Sequence, residues 1–422
     1  MDFAYPERVE NLRARAFAFL RSEVIPAEVR YQREKKAGAI WAPVPVVEEL
    51  KDKARAAGLW NLFLPAGGEG LTNLEYAPIA EISGMSPWIM PEAMNCSAPD
   101  TGNMEILHHF ATDAVRGRWL KPLLAGEIRS VYSMTEPAVA SSDARNVSLE
   151  ITEDGDGFRL NGRKWWSSGA MSPSCKVAIV MGKSNPDGEP HRQQSMVVVP
   201  LDADGVRVER STSVFGYDDS GHGGHAEIHY DNVRVPRENL LGELHGGFAI
   251  AQARLGPGRI HHAMRLIGMA ERAFELMCLR SFDRFPFGKE LAEQGVFQDW
   301  VAEARIRIEQ VRLLVLKAAW LMDTVGNKGA AVEISAIKVA APRMATWVID
   351  HAIQAHGGMG VSQDTPLAEM YEQARMLRIA DGPDEVHKMA LARRELRRMR
   401  NLAASGTIAP AGAQVDGGKL HA

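Results

Sequence analysis

The chain has 422 residues, with 49 Lys+Arg against 53 Asp+Glu and a formal charge of −4. At about 150 residues per domain this length suits roughly three units. Hydrophobic residues make up 45% and charged residues 24%, which excludes disordered and fibrous classes, and the missing basic excess argues against a nucleic-acid-binding surface. Residues 1–128 read as helical. Apolar residues recur at helical spacing over Arg13–Leu20 and Val46–Leu59, and the run Pro65–Gly70 punctuates them. At Arg129 the pattern changes, and 129–240 read as short strands, among them Val177–Met181, Ser195–Val199 and Ala226–Tyr230. Asn161-Gly162 is a type I′ hairpin dipeptide and Asp154–Gly157 a second turn. From 241 to 402 the chain is helical again. Ile260, Met264, Ile267, Ala270, Phe274 and Met277 form one apolar face, with further helices over 296–323, 331–356 and 384–400. Pro342 is placed to kink the third of these four, and Gly357-Gly358 to end it. Residues 403–422 are rich in Gly, Ala and Pro and read as a disordered tail. The expected class is α+β and multidomain: an N-terminal helical domain, a middle antiparallel β-barrel or sandwich, and a C-terminal four-helix bundle.

Cys96, Cys175 and Cys278 stand far apart, so no disulfide framework is expected. The N-terminus lacks an apolar signal core, and Arg312 and Lys317 interrupt the most apolar long stretch, Val311–Met322. The expectation is a soluble cytoplasmic protein with no membrane partner. Gly182-Lys183-Ser184 imitates the end of a phosphate-binding loop, but Val177 stands where its first glycine belongs. Gly221–Ala226 fits a loose dinucleotide fingerprint but runs into a strand rather than a helix. His222, His225 and His229 are spaced loosely enough that a polar loop lining a cleft is the better reading than a metal site, so no metal is expected. A β module between two helical ones leaves two clefts where ligands often bind.

Five segments, each in its own zone, carry more. They are Tyr132–Asp143 (YSMTEPAVASSD), Lys164–Ala170 (KWWSSGA), Arg284–Lys289 (RFPFGK), Gln354–Gly360 (QAHGGMG) and Arg378–His387 (RIADGPDEVH). In that order they resemble the acyl-CoA dehydrogenase family over about residues 5–400. The loop 216–225, GYDDSGHGGH, resembles the branch related to the dehydrogenase portion of large animal proteins that also carry a kinase-like domain. That branch is linked to long or hydroxylated acyl chains.

The resemblance implies FAD-dependent α,β-dehydrogenation of an acyl-CoA to the trans-2-enoyl-CoA. It makes Asp381 the base for the α proton, with hydride passing to flavin N5. Most relatives carry glutamate at that position. Relatives that place the base on the first long helix have it where this chain has Gly258. Arg259 would position the Asp381 carboxylate, and the Asp381 N–H would help hold the thioester oxygen. Met134, Thr135, Trp166 and Ser168 would contact the flavin from one chain, with Trp165 in the core by strand alternation. Arg284, Phe287, Gln354, Gly357 and Gly358 would hold the rest of FAD across a subunit interface, and Glu385 occupies a further flavin-contact position. Ser142 would face the acyl-CoA entrance and Arg393 the CoA adenine, while Asp384 would cap the final helix. Electron-transfer flavoprotein is the implied acceptor, in a homodimer or homotetramer with a role in β-oxidation. Two other readings stay open: a flavin oxidase or monooxygenase acting on a non-CoA substrate, and a non-catalytic flavoprotein.

Overall fold

The computed structural model describes residues 4–64 and 70–408. Most of the expected Pro65–Gly70 break, and the tail from 409 onward, lie outside the described residues. The helix-period sequence before Arg129 forms α1 (Glu7–Phe19), α2 (Ile25–Ala37), α3 (Pro45–Ala56), α4 (Asn73–Gly84), α5 (Met90–Ala93), α6 (Asp100–Phe110), α7 (Asp113–Val115) and α8 (Lys121–Ala125). Thr72 starts α4 with a reciprocal capping box: its hydroxyl accepts from the Glu75 N–H while Glu75 accepts from the Thr72 N–H.

Seven strands follow: β1 (Arg129–Ser133), β2 (Glu150–Asp154), β3 (Gly157–Ser168), β4 (Cys175–Lys183), β5 (Gln194–Pro200), β6 (Val206–Thr212) and β7 (His225–Pro236). The sheet runs β1-β4-β2-β3-β7-β6, with β5 on β4. It is mixed rather than purely antiparallel, because β1 and β2 pair with β4 in parallel. Alternation along β4 separates two cores. Val177, Ile179 and Met181 face the helices, while Ala178 and Val180 face the interior of the curled sheet with Phe158, Leu160 and Ile228.

The expected hairpin at Asn161-Gly162 is not a turn. The β2–β3 hairpin closes at Asp154–Gly157, and Asn161-Gly162 lies inside β3, where the β3–β7 register shifts. Gly162 is required by close approach: a Cβ there would lie 2.8 Å from the Leu149 Cα. The dipeptide signalled a bulge, not a reversal.

The C-terminal helices are α9 (Gly247–Phe282), α10 (Gly295–Gly329), α11 (Ala331–His356), α12 (Leu367–Met376) and α13 (Asp384–Ala404). The short α12 escapes the sequence reading. The final helix ends at Ala404, two residues inside the expected tail. The α11 helix runs through Pro342 without a break, and Gly357 stops it at φ +63°. Two glycines bring α4 against α9. A Cβ on Gly268 would lie 1.7 Å from the Glu81 carbonyl oxygen, and one on Gly84 2.0 Å from that of Arg265. This crossing fixes α9 beneath the cleft between the helical domains and the sheet. Among the described residues no helix is long and apolar enough to cross a membrane.

Candidate active site

The cleft is a cavity of 1790 Å³, larger than the about 300–1,000 Å³ of a typical small-molecule pocket. One long face of α9 forms its floor: Leu255, Gly258, His262, Arg265 and Met269 recur every three or four residues, with Arg259 beside Gly258, and all line it. The β1 exit, the end of β3 and the loop before α13 supply its other walls.

The loop before α13 presents Asp381. Its backbone is left-handed at φ +56°, followed by Gly382 at φ +102°, a conformation that a non-glycine residue adopts only when its surroundings hold it. Two groups hold the Asp381 carbonyl: Arg259 Nε donates to it at 3.1 Å and His387 Nε2 lies 3.2 Å from it. Arg259 therefore clamps the Asp381 main chain rather than the carboxylate expected. The Asp381 N–H donates to no acceptor among the described residues.

Four carboxylates line the cavity. Glu136 is bonded to Lys164, Asp143 to Arg145 and Asp219 to His222. The Asp381 carboxylate makes no hydrogen bond among the described residues; its nearest partner is His262 Nε2, 3.6 Å from Oδ2. Burial pushes its pKa up, but His262, Arg254, Lys338 and Arg259 outweigh burial and hold it below the ordinary aspartate value. A Cβ placed on Gly258 would meet Asp381 Oδ2 at 3.7 Å, so the bare backbone of α9 leaves open space before the carboxylate.

The tryptophan wall departs from simple alternation. The β3–β7 register shifts between Lys164 and Ser167, and Trp166 sits at φ +52°. Both indoles therefore line the cavity, and Trp165 is not a core residue. The Trp165 Nε1 is buried without a partner among the described residues. The Lys164 ammonium, wholly buried, fixes the adjoining loop by donating to Glu136 and to the Met134 carbonyl, each at 2.8 Å. Burial lowers the Lys164 pKa to about 8 despite the Glu136 carboxylate. Met134, Thr135 and Ser168 line the same wall, and Ser168 Oγ lies 2.9 Å from His225 Nδ1. His222 and His225 line the cavity, while His229 turns away to Glu227.

Other expected residues fall elsewhere. Ser142 lines the cavity, as does Arg394, whereas Arg393 is exposed and does not. Glu385 points outward. Asp384 is not the helix cap: it is buried at the start of α13 and accepts from Arg343 and Arg378. Arg284, Phe287, Gln354, Gly357 and Gly358 are exposed and lie outside this cavity. His262, Arg254, Lys338 and His387 were missed as site residues. The spacing i, i+4 from Gly258 to His262 on one helix was the available signal.

Comparison with known proteins follows the same order of domains. Family models described as acyl-CoA dehydrogenase N-terminal, middle and C-terminal domains match residues 6–127, 131–233 and 245–396. The chain is 57% identical to the probable acyl-CoA dehydrogenase FadE2 of Mycobacterium tuberculosis over 403 residues, covering 95% of this chain and 98% of that protein. It is 51% identical to human acyl-CoA dehydrogenase family member 11 over 384 residues, which is 90% of this chain but only 49% of that protein. The chain thus spans nearly all of the mycobacterial relative and about half of the animal one. Among solved structures, a candidate acyl-CoA dehydrogenase from Mycobacterium abscessus superimposes with a TM-score of 0.91 at 50% identity, covering 94% of this chain and 100% of the other. Butyryl-CoA dehydrogenase from Megasphaera elsdenii gives 0.79 at 25% identity, with 94% and 100% covered.

Proposed function

The chain belongs to the acyl-CoA dehydrogenase family and is an oxidoreductase acting on acyl-CoA, and we propose that Asp381 is the base that removes the α proton of the thioester. The observation that carries this reading is the state of the cavity's carboxylates. Three are tied to cationic or imidazole partners, and of the four Asp381 alone makes no hydrogen bond through its oxygens among the described residues. A base must reach the proton that it takes, and a locked carboxylate cannot.

The cofactor is FAD, and the cavity suits it. Trp166 exposes its ring there, and Met134, Thr135 and Ser168 surround it. The unpartnered Trp165 Nε1 marks a polar atom that the protomer leaves unsatisfied. These side chains would hold the flavin. When bound, it supplies the two-electron acceptor that no side chain provides. The Asp381 N–H, free of any internal acceptor, is available to the thioester oxygen, where it would stabilise the charge that develops as the proton leaves. Arg259 and His387 hold the peptide so that carboxylate and N–H keep their positions.

Arg284, Phe287, Gln354, Gly357 and Gly358 would complete the cofactor site of a neighbouring protomer in a homotetramer. Their exposure supports this, with Phe287 fully exposed and Met359 and Val361 beside the glycines also presenting apolar surface. Electron-transfer flavoprotein would take the electrons onward. The test is anaerobic titration of the FAD-loaded protein with acyl-CoAs of graded chain length, following the flavin absorbance. Bleaching by some thioester, lost in Asp381→Asn, supports the reading. Bleaching that survives in Asp381→Asn overturns Asp381 as the base, and no bleaching with any thioester favours an oxidase or a non-catalytic flavoprotein.

A further inference from the structure

We infer that His262 is a positioning residue for Asp381: its imidazole is held neutral, as the Nε2–H tautomer, with that N–H facing the Asp381 carboxylate. The inference rests on the reading of Asp381 as the base.

The tautomer follows from donor chemistry. Arg265 NH2 lies 3.3 Å from His262 Nδ1, and a guanidinium can only donate. Nδ1 must therefore be the acceptor, and the ring's one proton sits on Nε2. That nitrogen lies 3.6 Å from Asp381 Oδ2. The separation is an electrostatic contact rather than a hydrogen bond, so it orients the carboxylate without tying up a lone pair. Burial and the Arg265 charge hold the His262 pKa down at about 3, which keeps the ring neutral near physiological pH. A cation in its place would stabilise the carboxylate so strongly as to blunt it as a base.

The other groups around Asp381 are engaged elsewhere. On α9, Arg254 donates to Asn103 and Pro99, and Arg259 to the Asp381 carbonyl. On α11, Lys338 donates to the Leu377 carbonyl. On α13, His387 meets the Asp381 carbonyl. On β1, the Tyr132 ring lies beneath Arg254, 3.8 Å from its guanidinium carbon. Around His262 itself stand Arg265, Arg254, Lys338 and His261. Among the described residues, His262 Nε2 is the one cationic or imidazole side-chain nitrogen within ion-pair distance of the Asp381 carboxylate. The Gly258 backbone one turn earlier leaves room before the Asp381 carboxylate.

Two measurements on the FAD-loaded protein test this. Nitrogen NMR of ¹⁵N-histidine-labelled protein is expected to show His262 neutral, with Nδ1 unprotonated, and its Nε2 signal should move in Asp381→Asn. The second is the pH dependence of kcat/KM with a thioester that bleaches the flavin. In His262→Leu the acid limb should move to higher pH, because the ring, neutral near physiological pH, becomes cationic in the acid range where Asp381 titrates and there helps hold the carboxylate ionised. The loss should fall on kcat more than on KM. His262→Gln, which keeps an N–H, should restore most of both. A protonated ring, the Nδ1–H tautomer, or an unmoved acid limb in His262→Leu overturns the inference. The NMR arm needs no His262 variant, so it decides even if Leu and Gln fail to fold. Full activity in Asp381→Asn would sink the base reading instead, and the tautomer would still report on the Arg265–His262–Asp381 arrangement.

Discussion

Arg259 donates its Nε–H to the main-chain carbonyl of Asp381 across 3.1 Å, not to the carboxylate. The arginine lies on α9, and the aspartate sits in a loop 122 residues later whose backbone is left-handed at φ +56°. That conformation is costly for a non-glycine residue, and the clamp offsets the cost from outside the loop. Arg259→Met should leave the carboxylate present but loosely held. Misplacement by about an ångström costs about 10²-fold in rate, so stopped-flow bleaching by a good acyl-CoA should slow by about that factor while the cofactor stays bound. A rate within twofold of the parent would show that the clamp has no catalytic consequence.

Asp381→Asn preserves shape and removes the proton acceptor. General-base catalysis contributes about 10²–10⁴-fold, and the bleaching rate should fall by that much. Thioester affinity, read by equilibrium dialysis, should change little.

The pH profile has a definite sign. Burial raises the Asp381 pKa, but His262, Arg254, Lys338 and Arg259 bring it below the ordinary aspartate value. The ionised form is the base, so kcat/KM should hold its plateau as pH falls from neutrality and drop only below the usual aspartate range. The same shift makes Asp381 contribute to folding stability above its unfolded pKa, a contribution lost as pH falls through the folded one. A limb near neutrality in the parent protein would contradict the electrostatics of this site.

Gly258 faces the same carboxylate from inside α9. Gly258→Ala should stabilise the helix by about 0.5–1 kcal/mol. The added Cβ would stand 3.7 Å from Asp381 Oδ2, in the space left for substrate, so KM should rise as Tm rises. Calorimetry and steady-state kinetics on one preparation would check both directions.

Lys164 and Glu136 form a buried pair behind the tryptophan wall, with the lysine fully buried and the acid nearly so. Glu136 also accepts from the backbone N–H groups of Ser148 and Leu149. Lys164→Met strands that charge and should cost about 3–5 kcal/mol. Adding Glu136→Gln removes the stranded charge while keeping one of the two acceptor oxygens, so the double variant should recover part of the loss and unfold at higher denaturant than the single one. If it does not, the loss lies in packing rather than charge.

Periodicity and punctuation exposed much of this molecule before any coordinate. The change of period at Arg129, the apolar face from Ile260 to Met277 and the stop at Gly357 are local signals, because helix and strand repeat over a few residues and glycine carries its own conformational freedom. Asp381, Trp166 and Ser142 could be singled out because their segments stand in the family's order. Other features depended on neighbours far away in sequence. Asn161-Gly162 reads as a turn until Leu149 is known to press on Gly162. Trp165 reads as core until the β3–β7 register slips beside it. Asp384 reads as a cap until Arg343 and Arg378 reach it, and Arg394 rather than Arg393 reaches the cavity because of how α13 is rotated on α11. His262 matters only because α9 carries it under a loop that comes more than a hundred residues later. Local repeat and residue chemistry were determined by the sequence alone. Which proton faces which carboxylate was decided by the tertiary structure, since electrostatics and hydrogen bonds depend on distance in space rather than along the chain.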